Sequence, residues 1–433
     1  MIATLRRTDG SHAMLLDALA DPGSAAALVD AVRTGTRSRG TSGLLTATTR
    51  GTLPPGDVRI VAGEHQSLAV AVGEHALLKF YRHLGEGVSP ELEITRTLSE
   101  RTPGAPVAPL LASLELRPRK GEPITLGTIL GHVPNQSTAW QFIREELRRF
   151  YERALATNRD LPRPPPRPAG TLLDLSPLEP PAAARELLGS SLVAARLLGK
   201  RTADLHLALA FDDPAFAPEP YSPHDQRSVY QAKRNLTGKV LRQVKTHRMT
   251  GRLSELAQIL LGREKELYRR FEPLLEKRMT AQRQRIHGAY HLANVLWTGK
   301  DFVVVDFDGD QSRPLAERRR KRSPLRDVAA MVRSFDYAAS TALRDESIVR
   351  EADRATAEPW AKLWMTWVPA AFVGSWLETM GTSPAVPPDR GELATLLDTQ
   401  LLEKALDELS AELGVRESWA FVALRALLDM LGA

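Results

Sequence analysis

Arg285-Ile-His-Gly-Ala-Tyr-His-Leu-Ala-Asn-Val-Leu296, followed closely by Phe302-Val-Val-Val-Asp-Phe-Asp-Gly-Asp310, decides how this chain is read. Consecutive valines without polar alternation predict a strand buried on both faces. Asp306, Asp308 and Asp310 then emerge abruptly from that apolar element. Acidic clusters are common on surface loops, so the DFDGD string alone carries little weight. The segment ahead of it adds His287, Gly288, His291 and Asn294 in the spacing H-G-x-x-H-x-x-N. Thr298-Gly-Lys-Asp301 is a turn, so Ile286 to Phe307 is expected to form a hairpin.

Working outward, the surrounding chain reads as helical: about 182 to 209, 225 to 246, 251 to 280, 325 to 343, 348 to 380 with breaks near Pro359 and Pro369, and 390 to 431 with a break near Gly414. The helix after Ser323-Pro324 places Leu325, Val328, Ala329, Val332 and Phe335 on one face, with Arg326 and Asp327 beside its start, where they can brace the strand that ends at Asp306 or touch a ligand. Trp360, Trp364 and Trp367 recur at helical spacing, a pattern more often core than a sugar-stacking stripe. Gly199-Lys200 is no phosphate-binding loop, because Ala194 stands at the first glycine position and the stretch is helical.

The first part of the chain is different. Val58 to Ala62, Leu68 to Val72 and Ala76 to Tyr81 read as three antiparallel strands with turns at Gly63-Glu-His-Gln66 and Gly73-Glu-His75. A helix over 89 to 101 follows, capped by Ser89 with Pro90 at its first position. Two further strands, Leu110 to Leu116 and Thr125 to His132, complete a β-rich lobe, and 138 to 157 is an amphipathic helix. Residues 12 to 34 carry a helical pattern, and the Gly/Thr/Ser-rich stretch to Thr52 connects it onward as a small cap. Arg159 to Pro168 is a proline-rich, extended connector.

Composition narrows the classes. With 433 residues, 43% hydrophobic and 25% charged, the chain has the profile of a soluble globular protein. No apolar run approaches the roughly 18 residues of a membrane span, and Met1 to Arg7 lacks a signal-like core, so a cytoplasmic location is expected. There is no cysteine, which excludes disulfides, thiolate metal sites and a thiol nucleophile. The net charge of +6 and the run Arg318-Arg-Arg-Lys-Arg322 invite a nucleic-acid reading. No aromatic residues interleave with that run, so no nucleic-acid partner is expected.

Phosphoryl transfer needs a cation to neutralise phosphates, a lysine to hold the donor and a residue to orient the acceptor hydroxyl. Mg²⁺ takes one or two carboxylates plus other oxygen donors, which Asp306 and Asn294 supply. At this point the chain resembles the aminoglycoside phosphotransferase and protein-kinase-like superfamily. More narrowly it resembles the maltokinases, including those fused to trehalose synthase, and their glucosamine-kinase relatives. The similarity runs through Leu77-Leu-Lys-Phe-Tyr81, Ser89-Pro-Glu-Leu-Glu-Ile94, Pro106-Val-Ala-Pro-Leu110, Val133-Pro-Asn135 and Leu197-Leu-Gly-Lys-Arg-Thr-Ala-Asp-Leu-His206. It continues through Arg313-Pro-Leu-Ala-Glu-Arg318, Lys321-Arg-Ser-Pro-Leu-Arg-Asp-Val-Ala329 and Arg333-Ser-Phe-Asp-Tyr337.

The resemblance implies an α+β, bilobal protein-kinase-like fold: an N-terminal cap (1–56), a β-rich nucleotide-binding lobe (57–136) and a helical C-lobe (137–433) holding the catalytic hairpin 286–310. It implies ATP and Mg²⁺ as cofactors, with Lys79 on the phosphates, Glu93 paired to it, and the turn carrying Gln66 and Ser67 over them. Main-chain groups near Gly131 and Val133 would meet adenine, and Asn294 and Asp306 would hold the metal. His291, Asp308 and Arg326 would face a small sugar acceptor, with maltose to maltose 1-phosphate the first choice and glucosamine or an aminoglycoside as alternatives. A trehalose synthase is the implied protein partner.

One residue departs from the pattern. Where the family loop carries the aspartate that accepts the hydroxyl proton, this chain has Ala289. The open alternatives are an engineered inactive variant, a natural pseudokinase that binds nucleotide or sugar, or a neighbouring carboxylate such as Asp308 acting in its place.

Overall fold

The computed structural model describes residues 3–6, 12–15, 21–50, 53, 56–61, 67–156, 164–276 and 278–432. Gln66 and most of the proline-rich connector lie outside these, as does the side chain of Ser67. The chain divides into two compact units, Met1–Gln136 with Val303–Arg320, and Ser137–Phe302 with Lys321–Ala433. The segment that carries Asp306 to Asp310 therefore groups with the first unit, not with the helices that flank it in sequence.

In chain order the first unit contains β1 (Ala3–Arg6), β2 (His12–Leu15), α1 (Pro22–Arg33), β3 (Arg37–Arg39), β4 (Gly43–Thr49), β5 (Val58–Val61), β6 (Ser67–Val72), β7 (Ala76–Tyr81), α2 (Pro90–Arg101), β8 (Leu110–Pro118) and β9 (Ile124–Gly131). β3 to β9 form one antiparallel sheet in the order β3-β4-β8-β9-β7-β6-β5. The three strands read from the sequence are β5, β6 and β7. Val70, Val72, Leu78, Leu114 and Ile129 on the sheet pack with Ala25, Val29 and Val32 of α1.

Two expectations for the cap fail. The helix begins only at Pro22, where the Asp21 side chain accepts from the Ser24 amide at 2.8 Å and caps it, and His12–Leu15 is instead a strand paired with Ala3–Arg6. The Gly/Thr/Ser-rich stretch contains β4, whose register runs from Gly43 opposite Pro118 to Thr49 opposite Ala112. Its β-branched threonines suit a pleated strand, and the glycines around it masked that signal. The residues read as a separate cap thus contribute strands to the same sheet.

The second unit follows with β10 (Ser137–Thr138), α3 (Ala139–Ala156), α4 (Leu172–Leu175), α5 (Ala182–Ala208), β11 (Glu219–Pro220), α6 (Pro223–Thr246), α7 (Gly251–Gly262), α8 (Glu264–Arg269), α9 (Pro273–Glu276), β12 (Gln282–Arg283) and β13 (Val295–Trp297). Next come β14 (Phe302–Val304) and α10 (Leu315–Arg318), which carry the chain through the first unit, and then α11 (Leu325–Arg344), α12 (Arg354–Met380), α13 (Arg390–Glu412) and α14 (Glu417–Leu431). The helix read over 251 to 280 is three short helices. Conversely α12 runs unbroken through Pro359 and Pro369, held by burial along most of its length. Trp360, Trp364 and Trp367 are buried, so that stripe is core. Gly199 of α5 lies so close to α12 that a Cβ there would overlap the Phe372 carbonyl oxygen. That close approach explains the glycine in the Gly199-Lys200 pair. Mixed α+β architecture, with a sheet-based first unit and a helical second, is what the sequence led us to expect.

Candidate active site

In the first unit the decisive side chain is Lys79. It lies in the middle of β7, opposite Ala69 of β6 and Thr128 of β9, so its backbone is fixed from both sides. Its Nζ is 2.9 Å from Glu91 Oε2 of α2 and also pairs with Asp306 and Asp308. Burial alone would depress the ammonium, but Glu91, Asp308 and Asp306 outweigh it and hold the pKa well above the ordinary lysine value. For Glu91, burial is the largest effect and raises the carboxyl to about 7, with Lys79 pulling the other way. Lysine and carboxylates are thus mutually dependent: either alone would be a costly buried charge.

The expected partner of Lys79 was Glu93, and the structure corrects this. Residues two apart on a helix point to nearly opposite sides, so only one of Glu91 and Glu93 can face β7. Glu91 does so, 1% exposed, while Glu93 accepts from Arg319 Nη2 at 2.7 Å and Nε at 3.2 Å. Ser-Pro-Glu-Leu-Glu offered both carboxylates, and nothing in the spacing alone chose between them.

Asp306 follows β14 with φ +68°, a left-handed conformation that no other non-glycine adopts among the described residues. Such a residue costs on the order of 1 kcal/mol or more and persists only where its surroundings fix it. Here it ends the strand at Val304 rather than Phe307 and turns the Asp306 and Asp308 side chains toward Lys79. Val304 donates its amide to Pro106 O at 2.7 Å, and Val305 packs with Leu92 of α2, which ties this segment into the unit.

Carboxylate oxygens of Glu91, Asp306 and Asp308 lie within 4.8 Å of one another. Glu91 Oε1 and Asp308 Oδ1 are buried without a hydrogen-bond partner. Opposite ligands of a magnesium ion are separated by about 4.2 Å, so this donor set would close on one with little movement. Three carboxylate side chains gathered on one ammonium also supply the oxygen donors that a dication takes. The residues present therefore fit a hard divalent cation. Asp308 is only 1% exposed and is committed to Lys79, which makes it a poor substitute for the missing loop carboxylate. At the end of β9, the Gly131 amide donates to Pro109 O at 2.8 Å, so it is already used; Val133 O accepts from Asn135 Nδ2 at 2.8 Å.

The second unit holds the loop from Arg285 to Asn294. The β run expected from Ile286 is irregular until Val295, because its amides turn aside to side-chain acceptors. His287 N donates to Asp327 Oδ2 at 2.8 Å and Gly288 N to Asp327 Oδ1 at 3.0 Å, and Leu292 N donates to Ser334 Oγ at 3.1 Å. Gly288 adopts φ +83° here, which suits glycine. Asp327, expected to brace the metal strand or touch substrate, instead pins this loop. Burial would raise its carboxyl, but the His206 hydrogen bond, the neighbouring His206 and His287 rings and the Gly288 amide together hold it below the ordinary aspartate value.

His206 is fully buried, with Nε2 3.2 Å from Asp327 Oδ2 and Nδ1 3.0 Å from Trp376 Nε1. Indole N–H can only donate, so Nδ1 accepts and the proton sits on Nε2, aimed at Asp327. Two more α5 side chains reach the same region: Thr202 Oγ1 meets Tyr290 OH at 2.8 Å, and Arg201 grips Asp301 of the β13–β14 turn at 2.7 and 2.6 Å. One helix thus anchors the loop, its floor and the turn beyond it. Sequence reading missed these roles for Arg201, Thr202 and His206, although all three lie inside the resembling segment 197–206.

Ala289 offers the loop no carboxylate. Its carbonyl accepts from Asn294 Nδ2 at 3.1 Å. His291 lies at the start of the short 3₁₀ turn Leu292–Asn294. Arg326 is turned to α13, where it meets Glu403 at 2.9 Å and Asp407 at 3.8 Å, so the structure gives it a packing partner where substrate contact was expected.

A model of the phosphotransferase enzyme family matches residues 57–364 of the chain. The chain belongs to the phosphotransferase enzyme family. The family member's fold is also that of glucosamine kinase, in one crystal form with a TM-score of 0.68 at 19% identity, covering 99% of this chain and 85% of the other. A glucosamine kinase structure in complex with glucosamine, ADP and inorganic phosphate gives 0.69 at 19% identity, covering 99% and 87%. In this phosphotransferase, no helix among the described residues is long and apolar enough to cross a membrane.

Proposed function

We propose that this phosphotransferase is a sugar kinase that uses ATP and Mg²⁺, with maltose as first acceptor and maltose 1-phosphate as product. The observation that carries the reading is Lys79 gathered with Glu91, Asp306 and Asp308 at the end of an apolar strand. Maltose comes from the maltokinase-like segments of the sequence, and glucosamine is the next acceptor to test because glucosamine kinase shares the fold.

Asp306, with the carboxylates of Glu91 and Asp308, would hold the cation, which when bound would neutralise the phosphates of the nucleotide. Lys79, kept cationic by its carboxylate neighbours, binds donor phosphate oxygens. Asp327 and His206 keep the loop backbone in place. The acceptor hydroxyl, however, finds no loop carboxylate at Ala289. Loss of a general base costs roughly 10²- to 10⁴-fold, so binding would persist while transfer is slow.

That same alanine favours a second reading, a non-catalytic nucleotide- or sugar-binding protein, with a trehalose synthase as candidate partner. Calorimetry with ATP-Mg²⁺, maltose and glucosamine, beside a transfer assay on this chain and on Ala289→Asp, separates the two. Ala289→Asp is expected to transfer phosphate at least about a hundredfold faster. If neither chain phosphorylates any sugar while both bind nucleotide, the second reading replaces the first; if neither binds nucleotide, both fall.

A further inference from the structure

We infer that Arg319 and Glu93 form a positioning latch that holds α2 against the segment after β14, and so keeps Glu91 and the Asp306–Asp308 pair together around Lys79. This rests on the kinase reading above for its consequence, though not for its geometry. The pair is bidentate, 2.7 and 3.2 Å, with Glu93 12% and Arg319 37% exposed, so the carboxylate is the shielded partner.

The basic run 318 to 322 invites a nucleic-acid reading in the sequence, yet its first two residues are used internally. Arg318 Nη1 donates to Asp308 O at 2.9 Å, next to Gly309 at φ +69°. Arg319 follows at the end of α10 and reaches α2. Between them and Asp306 the chain is locally braced, since Asp310 accepts from Ser312 Oγ at 2.6 Å and Arg313 Nε at 3.0 Å. Leu315 lies against Gly85 and Gly87, where an added Cβ would meet its side chain at 3.6 and 3.2 Å.

Glu91 and Glu93 thus divide α2 between two duties. One side of the helix places a carboxylate on Lys79; the other is fastened to the segment that delivers Asp306 and Asp308. Releasing Arg319 frees α2 to rotate or withdraw, which separates Glu91 from its partners without removing any group that touches nucleotide. Arg319 is therefore a positioning residue, not a catalytic one.

The test uses the full chain, with Arg319→Ala, Glu93→Gln, Arg319→Lys and the exchanged pair Glu93→Arg/Arg319→Glu, each in the present chain and in Ala289→Asp. Hydrogen exchange over α2 and residues 306–313 is expected to quicken at least about tenfold in Arg319→Ala, equivalent to about 1.4 kcal/mol of lost local protection. Mg²⁺ required for half-maximal ATP binding, by calorimetry, should rise by a similar factor. In Ala289→Asp, kcat should fall while KM for the sugar stays within about twofold; the exchanged pair and Arg319→Lys should recover part of each loss. A merely structural role would lower thermal stability without moving the Mg²⁺ requirement, and would overturn the inference. So would unchanged exchange in α2, whatever the activity. Should Ala289→Asp prove inactive with every sugar, the kinase reading fails alone, and the exchange and Mg²⁺ measurements still decide the latch.

Discussion

Replacing Asp327 isolates the part of the structure that shapes the loop around Ala289. Its carboxylate accepts three hydrogen bonds: buried ones from His287 N and His206 Nε2 on one oxygen and a part-buried one from Gly288 N on the other. Asp327→Ala leaves all three donors without a partner, those of His287 and His206 away from water. Breaking a buried charged network in this way costs about 3–5 kcal/mol, a large fraction of the roughly 5–15 kcal/mol that holds a domain folded. Asp327→Asn keeps one acceptor oxygen, for His287 and His206, and turns an N–H toward the Gly288 amide. It should cost roughly 1–3 kcal/mol, the penalty of one unsatisfied donor. Urea unfolding at neutral pH measures both as shifts in midpoint at constant slope, and hydrogen exchange at residues 287–289 should report opening of the loop first. The sign with pH follows from the depressed carboxyl. Its contribution is complete above the unfolded aspartate value near 3.9 and fades as pH falls through the lower folded value. An alanine variant within about 1 kcal/mol of the parent, or asparagine as costly as alanine, would refute the three-donor account.

Other expectations follow from single contacts. Gly199→Ala should destabilise by at least about 1–3 kcal/mol in the same unfolding assay, because its methyl would overlap the Phe372 carbonyl and α5 cannot back away without losing the α12 interface. Glu403 is buried between Lys233 and Arg326; burial would raise its carboxyl, but Arg326 and Lys233 hold it well below the ordinary range. Its stabilising contribution is thus full above about pH 4.3 and lost on acidification, and Glu403→Gln should flatten that acid limb while costing about 3–5 kcal/mol at neutral pH by stranding Lys233. Lys79→Met should abolish detectable ATP-Mg²⁺ binding by calorimetry yet leave far-UV circular dichroism unchanged; retained binding would remove Lys79 from the nucleotide site.

Periodicity revealed the elements whose neighbours along the chain share their burial pattern. β5 to β7, α2 with its Ser89 cap, and α11 with its apolar face could all be read, because each signal lies within a few consecutive residues. β4 could not, since its pairing with β8 depends on residues far away in sequence and its own composition is that of a turn-rich linker. The cluster around Lys79 was legible as a set of residue types: Lys79 and Asp306 stand out against their apolar surroundings. Which carboxylate meets the lysine was not, because Glu91 and Glu93 differ only in helical phase, and phase is set by what α2 packs on. Arg326 failed for a related reason: its position at a helix start suggests access, whereas α13 supplies Glu403 to cover it. Asp327 was noticed and its partner misjudged, since a backbone amide leaves no mark in sequence.

The return of Val303–Arg320 to the first unit has a consequence for how the protein is made. Lys79 and Asp306 are 227 residues apart. During synthesis the sheet that carries Lys79 emerges early, but its charge stays uncompensated by Asp306 and Asp308 until most of the chain has left the ribosome. Closing so long a loop is entropically slow, so this ion cluster is expected to be among the last native contacts to form. A protein cut after Gln136 would keep the lysine and its helix yet lack the acidic turn that carries Asp306 and Asp308. The ion cluster is thereby its own checkpoint, complete only in chains that have been translated past Arg320.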